Sequence, residues 1–351
     1  MPHTPHANPL HFKPALILTM GDPAGIGPEI IVRALWQRPE LRRQVLVAGD
    51  VGSLRRALAL TGLSDALRLV EVTDGMSWQE QPEEAVRLVQ ACDVLPPVAF
   101  GCVSAVAGRA AADCIAYATQ QVLHGRARAL VTAPIHKEAL AAAGIAHPGH
   151  TEYLQALAAA HAGVPVEEMP VRMMLSCPGL ATVLVSIHVS LRLALDAVTQ
   201  ARVLETVRIT AAHFRRCGVP GARIAVAGLN PHAGEGGLFG SEEIEIISPA
   251  VLQAQAEGLV VSGPYPPDTV FMRARQGAYD AVVSMYHDQG LIPVKLLGLD
   301  HGVNTTLGLP FVRTSPDHGT AFDLAGTGRA NADSLLAAID AALAMSADTR
   351  H

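Results

Sequence analysis

The sequence is poor in charged side chains, in aromatic side chains and in long apolar runs. Charged residues make up 17% of the 351 residues and aromatic residues 4%, whereas half of the chain is hydrophobic. No uninterrupted apolar segment reaches the about 18 residues that a membrane-spanning helix needs, so we expect no membrane association. The net charge is −6 and there is no dense block of Lys and Arg, which argues against a nucleic-acid-binding protein.

Cysteine pairs at metal-binding or redox spacing are also absent. The five cysteines are Cys92, Cys102, Cys114, Cys177 and Cys217, and none of them forms a C-x-x-C motif. An odd number without such motifs predicts free thiols in a reducing compartment. The first 14 residues carry no apolar core of a signal peptide, so we expect a cytoplasmic protein.

Short apolar runs alternate with longer helical patterns, which predicts an α/β fold with a mostly parallel sheet. The predicted strands are Ala15–Met20, Gln44–Ala48, Ala129–Thr132, Val171–Ser176, Ala181–Ile187, Arg223–Ala227 and Asp280–Ser284. The predicted helices are Pro28–Trp36, Ala105–Leu123, Leu191–Phe214, Ser241–Ala256 and Ala332–Met345. Ser241, followed by Glu242 and Glu243, is typical of a helix N-terminus.

A chain of this length suits two domains. Histidine-rich motifs cluster between residues 150 and 301. This favours a central domain, residues 141–304, inserted into a terminal domain built from residues 1–140 and 305–351.

A glycine-rich loop, Gly21–Glu29, follows the first predicted strand and opens a helix. Such a loop is either an anion site at a helix N-terminus or a tight strand–helix turn, and the motif alone leaves both open. It does not match the dinucleotide fingerprint G-x-G-x-x-G, because Ile30 stands at the last position. A second start, Gly326-x-Gly328, fails at Asn331, so a Rossmann domain is not supported.

Three histidines end predicted strands or lie in the loops that follow them: His188, His232 and His287. The carboxyl ends of parallel strands gather at one edge of a sheet, where ligands bind. Three imidazoles meeting there could hold one divalent ion with open positions for a substrate. Each histidine taken singly is more often a loop hydrogen-bonding residue.

Several other polar residues have two interpretations each. His150 and Thr151 stand where a helix cap or a substrate contact would be expected. Lys295, Asn304 and Arg313 suit an anion site, although Lys295 could equally be a surface lysine.

The small-residue loop 317–328 either accommodates a flat ligand such as adenine or simply precedes the last helix. It carries Asp317 and Asp323 with one nearby cation, Arg329, which favours NAD over NADP.

Together these motifs resemble the 4-hydroxythreonine-4-phosphate dehydrogenase family of the vitamin B6 pathway. The strings that carry the resemblance are, in order, GDPAGIGPEI, VTAPIHKEAL, GHTEYL, GLNPHAGEGG, YHDQGLIPVK and HGTAFDLAGTGRA. GIGPE and HGTAFDLAGTG are also similar to isopropylmalate and isocitrate dehydrogenases. The resemblance implies a two-domain α/β/α fold like that of isopropylmalate dehydrogenase, with the active site in the cleft between the domains. It also implies a homodimer, formed through the central domain, in which the partner subunit completes the site.

The resemblance further implies a role for each matching residue. The metal ligands would be His188, His232 and His287. The substrate contacts would be His150, Thr151, Lys295, Asn304 and Arg313. The cofactor loop would contribute His318, Gly319, Thr320, Asp323 and Gly326. Lys295 and Asp288 are the candidates for proton transfer, and the sequence does not choose between them.

The implied reaction is the NAD-dependent, divalent-metal-dependent oxidation of 4-phosphooxy-L-threonine at C3. Decarboxylation to 3-amino-2-oxopropyl phosphate follows, in pyridoxal phosphate biosynthesis. Zinc suits three neutral imidazoles best, with cobalt, nickel, manganese and magnesium as alternatives. Relatives with this fold act on 4-phosphoerythronate- or threonate-type acids, or on a terephthalate-type cis-dihydrodiol dicarboxylate, so these substrates stay open.

Two departures from the family pattern stand out. The segment between His150 and His188 is several residues longer, around residues 160–168, and His136 replaces the Asn of TAPINK. Outside this family, the same motifs would suit a non-catalytic anion-binding protein or a metal-dependent phosphoester hydrolase. An assay of NADH formation with added divalent metal separates the three.

Overall fold

The computed structural model describes residues 15–72, 82, 84–298 and 301–347. Its strands are β1 Leu16–Thr19, β2 Val45–Gly49, β3 Leu69–Glu71, β4 Val86–Gln90, β5 Ala129–Thr132, β6 Arg172–Cys177, β7 Leu180–Leu184, β8 Ile224–Ala227, β9 Val261–Tyr265, β10 Ala281–Ser284, β11 Val303–Leu307 and β12 Val312–Pro316. Its α-helices are α1 Gly27–Gln37, α2 Val51–Leu60, α3 Ala105–Leu123, α4 Lys137–Ala142, α5 His150–Ala162, α6 Leu191–Ala197, α7 Gln200–Arg216, α8 Ser248–Ala256, α9 Val270–Arg275, α10 His287–Leu297 and α11 Asp333–Met345. The α/β prediction is confirmed.

The chain divides into two compact units: residues up to 146 with 320–330, and residues 147–319 with 331 onward. Strands β11 and β12 belong to the second unit because β11 pairs with β6. Helix α11 belongs there too, since it packs on β12. The functional domains predicted from sequence, a terminal domain of residues 1–140 with 305–351 and a central domain of residues 141–304, stay a prediction.

The first unit is built on a parallel sheet with strand order β3–β4–β2–β1–β5. The interior strand β1, between β2 and β5, is fully buried, which explains why it reads as a nearly uninterrupted apolar run. Helix α3 packs on β1, β2 and β5. Asp50 caps α2 by accepting a hydrogen bond from the backbone N–H of Ser53, 2.7 Å away.

The second unit has strand order β12–β11–β6–β7–β10–β8–β9. Strands β7, β10, β8 and β9 are parallel, whereas β12, β11, β6 and β7 pair antiparallel. Alternate residues along the strands enter two separate cores: Val183, Val226 and Val283 face α7 and α8, while Leu184, Ala225 and Val282 face α9 and α10. The sheet is therefore covered on both faces, as an α/β/α sandwich requires.

Most predicted elements are found within a few residues of their expected positions, and two predicted helices are interrupted. The segment predicted as Leu191–Phe214 breaks between α6 and α7, because Thr199 caps a new helix by accepting from the N–H of Arg202. The segment predicted as Ser241–Ala256 contains a π-helical turn, Glu243–Ile247, ahead of α8. Pro249, which has no N–H to donate, is the second residue of α8.

Five strands and five helices were not predicted. They are β3, β4, β9, β11 and β12, with α2, α4, α5, α9 and α10. Within the described parts of the chain, no helix combines the length and hydropathy needed to cross a bilayer.

Candidate active site

The three candidate metal-binding histidines follow three neighbouring parallel strands of the second unit. His188 comes after β7, His287 opens α10 after β10, and His232 lies beyond β8. The sheet order β7–β10–β8 makes these strands direct neighbours, and their parallel register places their carboxyl ends at one edge. The backbone therefore places the three histidines after the carboxyl ends of neighbouring parallel strands, as the sequence predicts.

His188 and His287 are close together at this edge. Their ring centroids are 5.5 Å apart and the rings are tilted by 45°. His287 Nδ1 lies 2.7 Å from Asp288 Oδ1, so a neutral His287 can donate Nδ1–H to the carboxylate and keep Nε2 as a lone-pair donor. Both rings and Asp288 line a cavity of about 260 Å³, together with Ser186, Ile187, Val189, Leu191, Ala194 and Tyr286.

His232 lies in a turn with an unusual backbone. Residues 232–236 all have positive φ, including 54° at His232, 53° at Ala233 and 44° at Glu235. Side-chain-bearing residues rarely adopt this left-handed conformation, and such strain is concentrated at functional sites. Across the described residues, no three His, Cys, Asp or Glu side chains lie close enough together to hold a metal ion. The structure thus brings together two of the three histidines.

Two buried side chains hold the His232 turn, and the sequence did not reveal either of them. Glu243 Oε1 accepts hydrogen bonds from the backbone N–H groups of Leu229 and Asn230, both at 2.7 Å. Gln289 Nε2 donates to the carbonyl of Gly228 at 2.7 Å. Glu243 was interpreted as a charge at a helix N-terminus; the run of acidic residues after NPHAGEGG was the available signal.

His150 and Arg313, two predicted substrate contacts, come together in the interior of the second unit. Arg313 is 2% exposed and donates to Thr306 Oγ1 at 3.0 Å. Burial lowers the pKa of Arg313 to about 10, with the nearby charge of Glu152 acting in the opposite direction. Burial, and then the positive charge of Arg313, hold the pKa of His150 well below its usual value, so its imidazole is neutral at neutral pH.

The other predicted substrate contacts are placed less closely together. Thr151 is the second residue of α5, and the helix cap is Gly149, so Thr151 is not the cap. Asn304 lies on β11 opposite Ser315. Lys295, on α10, forms an ion pair with Asp317 at 2.9 Å, and the lysine side chain remains 41% exposed.

The glycine-rich loop of the first unit packs closely on its own chain. The N–H of Asp22 donates to the carbonyl of Pro134 at 2.9 Å, and that of Ile26 to the carbonyl of Thr320 at 3.0 Å. A Cβ at Gly21 would lie 2.4 Å from the Pro134 oxygen, and one at Gly25 would lie 2.9 Å from Thr320 Cβ. Between an anion site and a tight strand–helix turn, these contacts favour the turn.

The predicted cofactor loop is divided between the two units. His318 and Gly319 are exposed in the second unit. Thr320, Asp323 and Gly326 belong to the first unit, where Asp323 is exposed and Thr320 is buried.

In the first unit this loop is fixed at two points. The N–H of Gly326 donates to the buried carboxylate of Glu29 at 2.6 Å. His136, the departure from TAPINK, stacks on Phe322 with centroids 4.5 Å apart. Glu29 of the GIGPE motif therefore anchors the predicted cofactor loop at Gly326.

The larger cavity, about 460 Å³, lies elsewhere in the second unit, between α11 and residues 176–178. None of the predicted site residues lines it. The histidine-bearing strand edge is thus the better candidate for the active site.

Fold and site together define an α/β protein whose polar residues gather at the carboxyl ends of parallel strands. Residues 40–342 match the family described as pyridoxal phosphate biosynthetic protein PdxA, and the chain belongs to this family.

The chain is 50% identical to the 4-hydroxythreonine-4-phosphate dehydrogenase of Beijerinckia indica, over 95% of this chain and 96% of that one. It is 44% identical to the D-threonate 4-phosphate dehydrogenase of Pectobacterium atrosepticum, over 93% and 98% of the two chains. A crystal structure of 4-hydroxythreonine-4-phosphate dehydrogenase from Klebsiella pneumoniae superposes with a TM-score of 0.83, at 43% identity over 95% of this chain and 100% of that one. This chain is therefore an enzyme, an oxidoreductase of the type that acts on a CH–OH group.

Proposed function

We propose that this enzyme oxidises 4-phosphooxy-L-threonine at C3 with NAD and a divalent metal ion, and that decarboxylation gives 3-amino-2-oxopropyl phosphate. When bound, NAD would supply the hydride acceptor for C3 while the hydroxyl proton passes to a base of the site, and the resulting β-keto acid would lose carbon dioxide because its ketone accepts the electron pair of the broken C–C bond. The observation that carries the proposal is the pair His188 and His287, 5.5 Å apart at the carboxyl ends of neighbouring strands.

The donor set fits a divalent ion of the zinc type. Imidazole nitrogens are preferred ligands of zinc, and a carboxylate that orients a ligating histidine is the usual outer partner. His188 and His287 would hold the ion, with His232 as the third ligand and Asp288 orienting His287. Zinc is the first candidate; cobalt, nickel, manganese and magnesium are the others. When bound, the ion would stabilise negative charge that develops on the substrate oxygen.

The second unit also offers groups for an anionic substrate. Arg313 and the neutral His150 supply a buried cation and a ring nitrogen, Nε2, for which the described residues provide no hydrogen-bond partner. A phosphate requires several donors at once, and Thr151 and Asn304 add two more.

Lys295 is the better of the two candidates for proton transfer. Asp288 Oδ1 lies 2.7 Å from His287 Nδ1, which favours an orienting role for this carboxylate. The side chain of Lys295 is partly exposed beside Asp317, so it can exchange protons with solvent and still bind an anion.

We further propose a cytoplasmic homodimer. Leu191 and Leu195, one turn apart on α6, are 61% and 48% exposed, and Leu191 lines the histidine-lined cavity. Such an exposed apolar face suits a second copy of the chain that covers the site. Light scattering of the purified enzyme tests the mass.

The test is an assay of NADH formation from 4-phosphooxy-L-threonine, with metal removed by a chelator and then restored. We expect the chelated enzyme to be inactive and zinc to restore activity, while His232→Ala stays inactive with metal. Full activity of the chelated enzyme would contradict the metal assignment. Phosphate release without NADH would indicate a hydrolase, and the absence of any turnover an anion-binding protein.

A second candidate substrate is a threonate- or erythronate-type 4-phosphate, which the 44% identity to a D-threonate 4-phosphate dehydrogenase favours. These acids carry a hydroxyl at C2 where phosphooxy-threonine carries an amine. Comparison of kcat/KM for the two, with the terephthalate-type cis-dihydrodiol as a third arm, decides between them. A preference for the cyclic diacid would contradict the phosphate-anchor argument as a whole.

A further inference from the structure

Glu243 has no ligand-contacting role in the function proposed above. It is nevertheless 3% exposed, and its carboxylate binds the backbone just before the His232 turn. We infer that Glu243 is a positioning residue, which holds residues 232–236 in their left-handed conformation and so presents His232 to the divalent ion. The inference rests on the proposed function, because it presupposes that His232 is a metal ligand.

The turn needs an outside restraint because of its own backbone. His232, Ala233 and Glu235 adopt positive φ without being glycine, and Gly234, Gly236 and Gly237 extend the run to six residues. A consecutive left-handed stretch is unfavourable for side-chain-bearing residues. The conformation therefore persists only if surrounding contacts fix it.

The Glu243 carboxylate supplies those contacts. Oε1 accepts from the N–H groups of Leu229 and Asn230, and Oε2 accepts from Asn230 Nδ2 at 2.9 Å. A Cβ at Gly234 would lie 2.7 Å from Oε2, so the turn passes directly over the carboxylate. One side chain thus binds the start of the loop and packs against its middle.

The network requires two acceptor oxygens. Asn230 Nδ2 also donates to Glu242 Oε2 at 2.7 Å, which fixes the orientation of the amide. In Glu243→Gln the new NH₂ group would face the Asn230 NH₂ group. Turning the Asn230 amide over would instead bring its oxygen against the Glu242 carboxylate. A nearly isosteric substitution therefore leaves a donor–donor or an acceptor–acceptor contact.

Gln289 connects this turn to the segment that carries His287. Its Oε1 accepts from the N–H of Met285 at 2.7 Å, and its Nε2 donates to the carbonyl of Gly228 at 2.7 Å. Since Gln289 lies in the first turn of α10, it links the loop after β8 to the one after β10. A shift of the Glu243-bound loop would therefore also displace the segment beside His287.

The experiment measures the dissociation constant of Zn²⁺ by competition with a chromogenic chelator, in the full-length enzyme. We expect Glu243→Gln to weaken zinc binding by about ten- to a hundredfold, the usual cost of losing an outer-shell partner. Glu245→Gln is the matched control, because Glu245 is exposed on the same helical turn, and its zinc affinity should equal that of the wild type. Circular dichroism and thermal unfolding establish that each variant is folded.

A rescue variant separates positioning from a general loss of stability. Glycine adopts positive φ without steric cost, so Ala233→Gly in the Glu243→Gln background should recover at least part of the zinc affinity. If Glu243→Gln does not fold, Asn230→Ala, which keeps both backbone bonds to the carboxylate, should still weaken zinc binding several-fold. The inference would be overturned by wild-type zinc affinity in a folded Glu243→Gln variant or, if that variant does not fold, in Asn230→Ala. It would also be overturned if Ala233→Gly restored no zinc affinity to Glu243→Gln.

The outcome also distinguishes this inference from the proposed function. Wild-type zinc affinity in His232→Ala would refute the metal assignment itself. Loss of zinc in His232→Ala together with wild-type affinity in Glu243→Gln would refute only the role of Glu243.

Discussion

Replacement of Arg313 by Met should make the protein no less stable while it abolishes most of the activity. Burial lowers the pKa of Arg313 from 12.5 to about 10, because the charged guanidinium is withdrawn from water. At about 1.4 kcal/mol per pKa unit, the buried charge costs about 3 kcal/mol. Methionine has a similar length and no charge, so the free energy of unfolding should be unchanged or higher by up to about 3 kcal/mol. The melting temperature should rise by up to roughly 5 °C.

The activity of Arg313→Met should fall for a different reason. A charge-assisted hydrogen bond to an anion contributes about 2–3 kcal/mol, so its loss should lower kcat/KM for the phosphorylated substrate by about a hundredfold. Arg172→Met is the control, since Arg172 is a largely buried arginine that pairs with Glu205 and donates to Thr206 at 2.8 Å. It should lose stability and keep its kcat/KM.

Thermal and urea unfolding, measured together with steady-state kinetics, test this reasoning. If Arg313→Met were destabilised by more than about 2 kcal/mol with unchanged kcat/KM, the guanidinium would be structural and the anchor assignment wrong. Stability without activity is the pattern expected of a residue retained for function at the expense of stability.

Three further outcomes are expected. Burial holds the pKa of His213 at about 4, and that of His150 is also lowered, so the unfolded chain binds protons that the folded one does not. Stability should therefore fall as pH drops from about 6.5 towards 5, by about 2 kcal/mol through His213 and further through His150, and His213→Leu should show a shallower fall; parallel pH curves would contradict this. NAD should give a higher kcat/KM than NADP, because the exposed Asp323 has one cation close to it in sequence, Arg329, and equal turnover would show that the loop is misinterpreted. Asp288→Ala should weaken zinc binding by about tenfold in chelator competition, and an unchanged affinity would remove the orienting role of this exposed carboxylate.

The sequence alone identified the elements whose pattern is local. Strand β5 and helix α3 have the predicted bounds, because an apolar run between turns and a capped amphipathic segment are legible without tertiary information. The placement of His188, His232 and His287 after neighbouring strands followed from the same strand predictions, since the carboxyl ends of parallel strands meet at one edge.

Buried polar strands were not recognisable in this way. Strands β11 and β12 read VNTTL and VRTSP, yet Thr305, Thr306 and Thr314 are at most 1% exposed. A polar strand reads as a loop until its hydrogen-bonding partners are known, and Thr314 Oγ1 finds its acceptor in the carbonyl of Ala338, on α11.

The chemistry of the site depended still more on contacts distant in sequence. The motif strings named His150, Arg313 and His232, but only the fold shows that the first two share one interior and that His232 lies in a left-handed turn. Glu243 looked like an ordinary helix-terminal charge, because a carboxylate that caps its own helix and one that organises another loop have the same local sequence. Burial and long-range hydrogen bonding decide between them, and both arise only when β8, α8 and α10 have packed together.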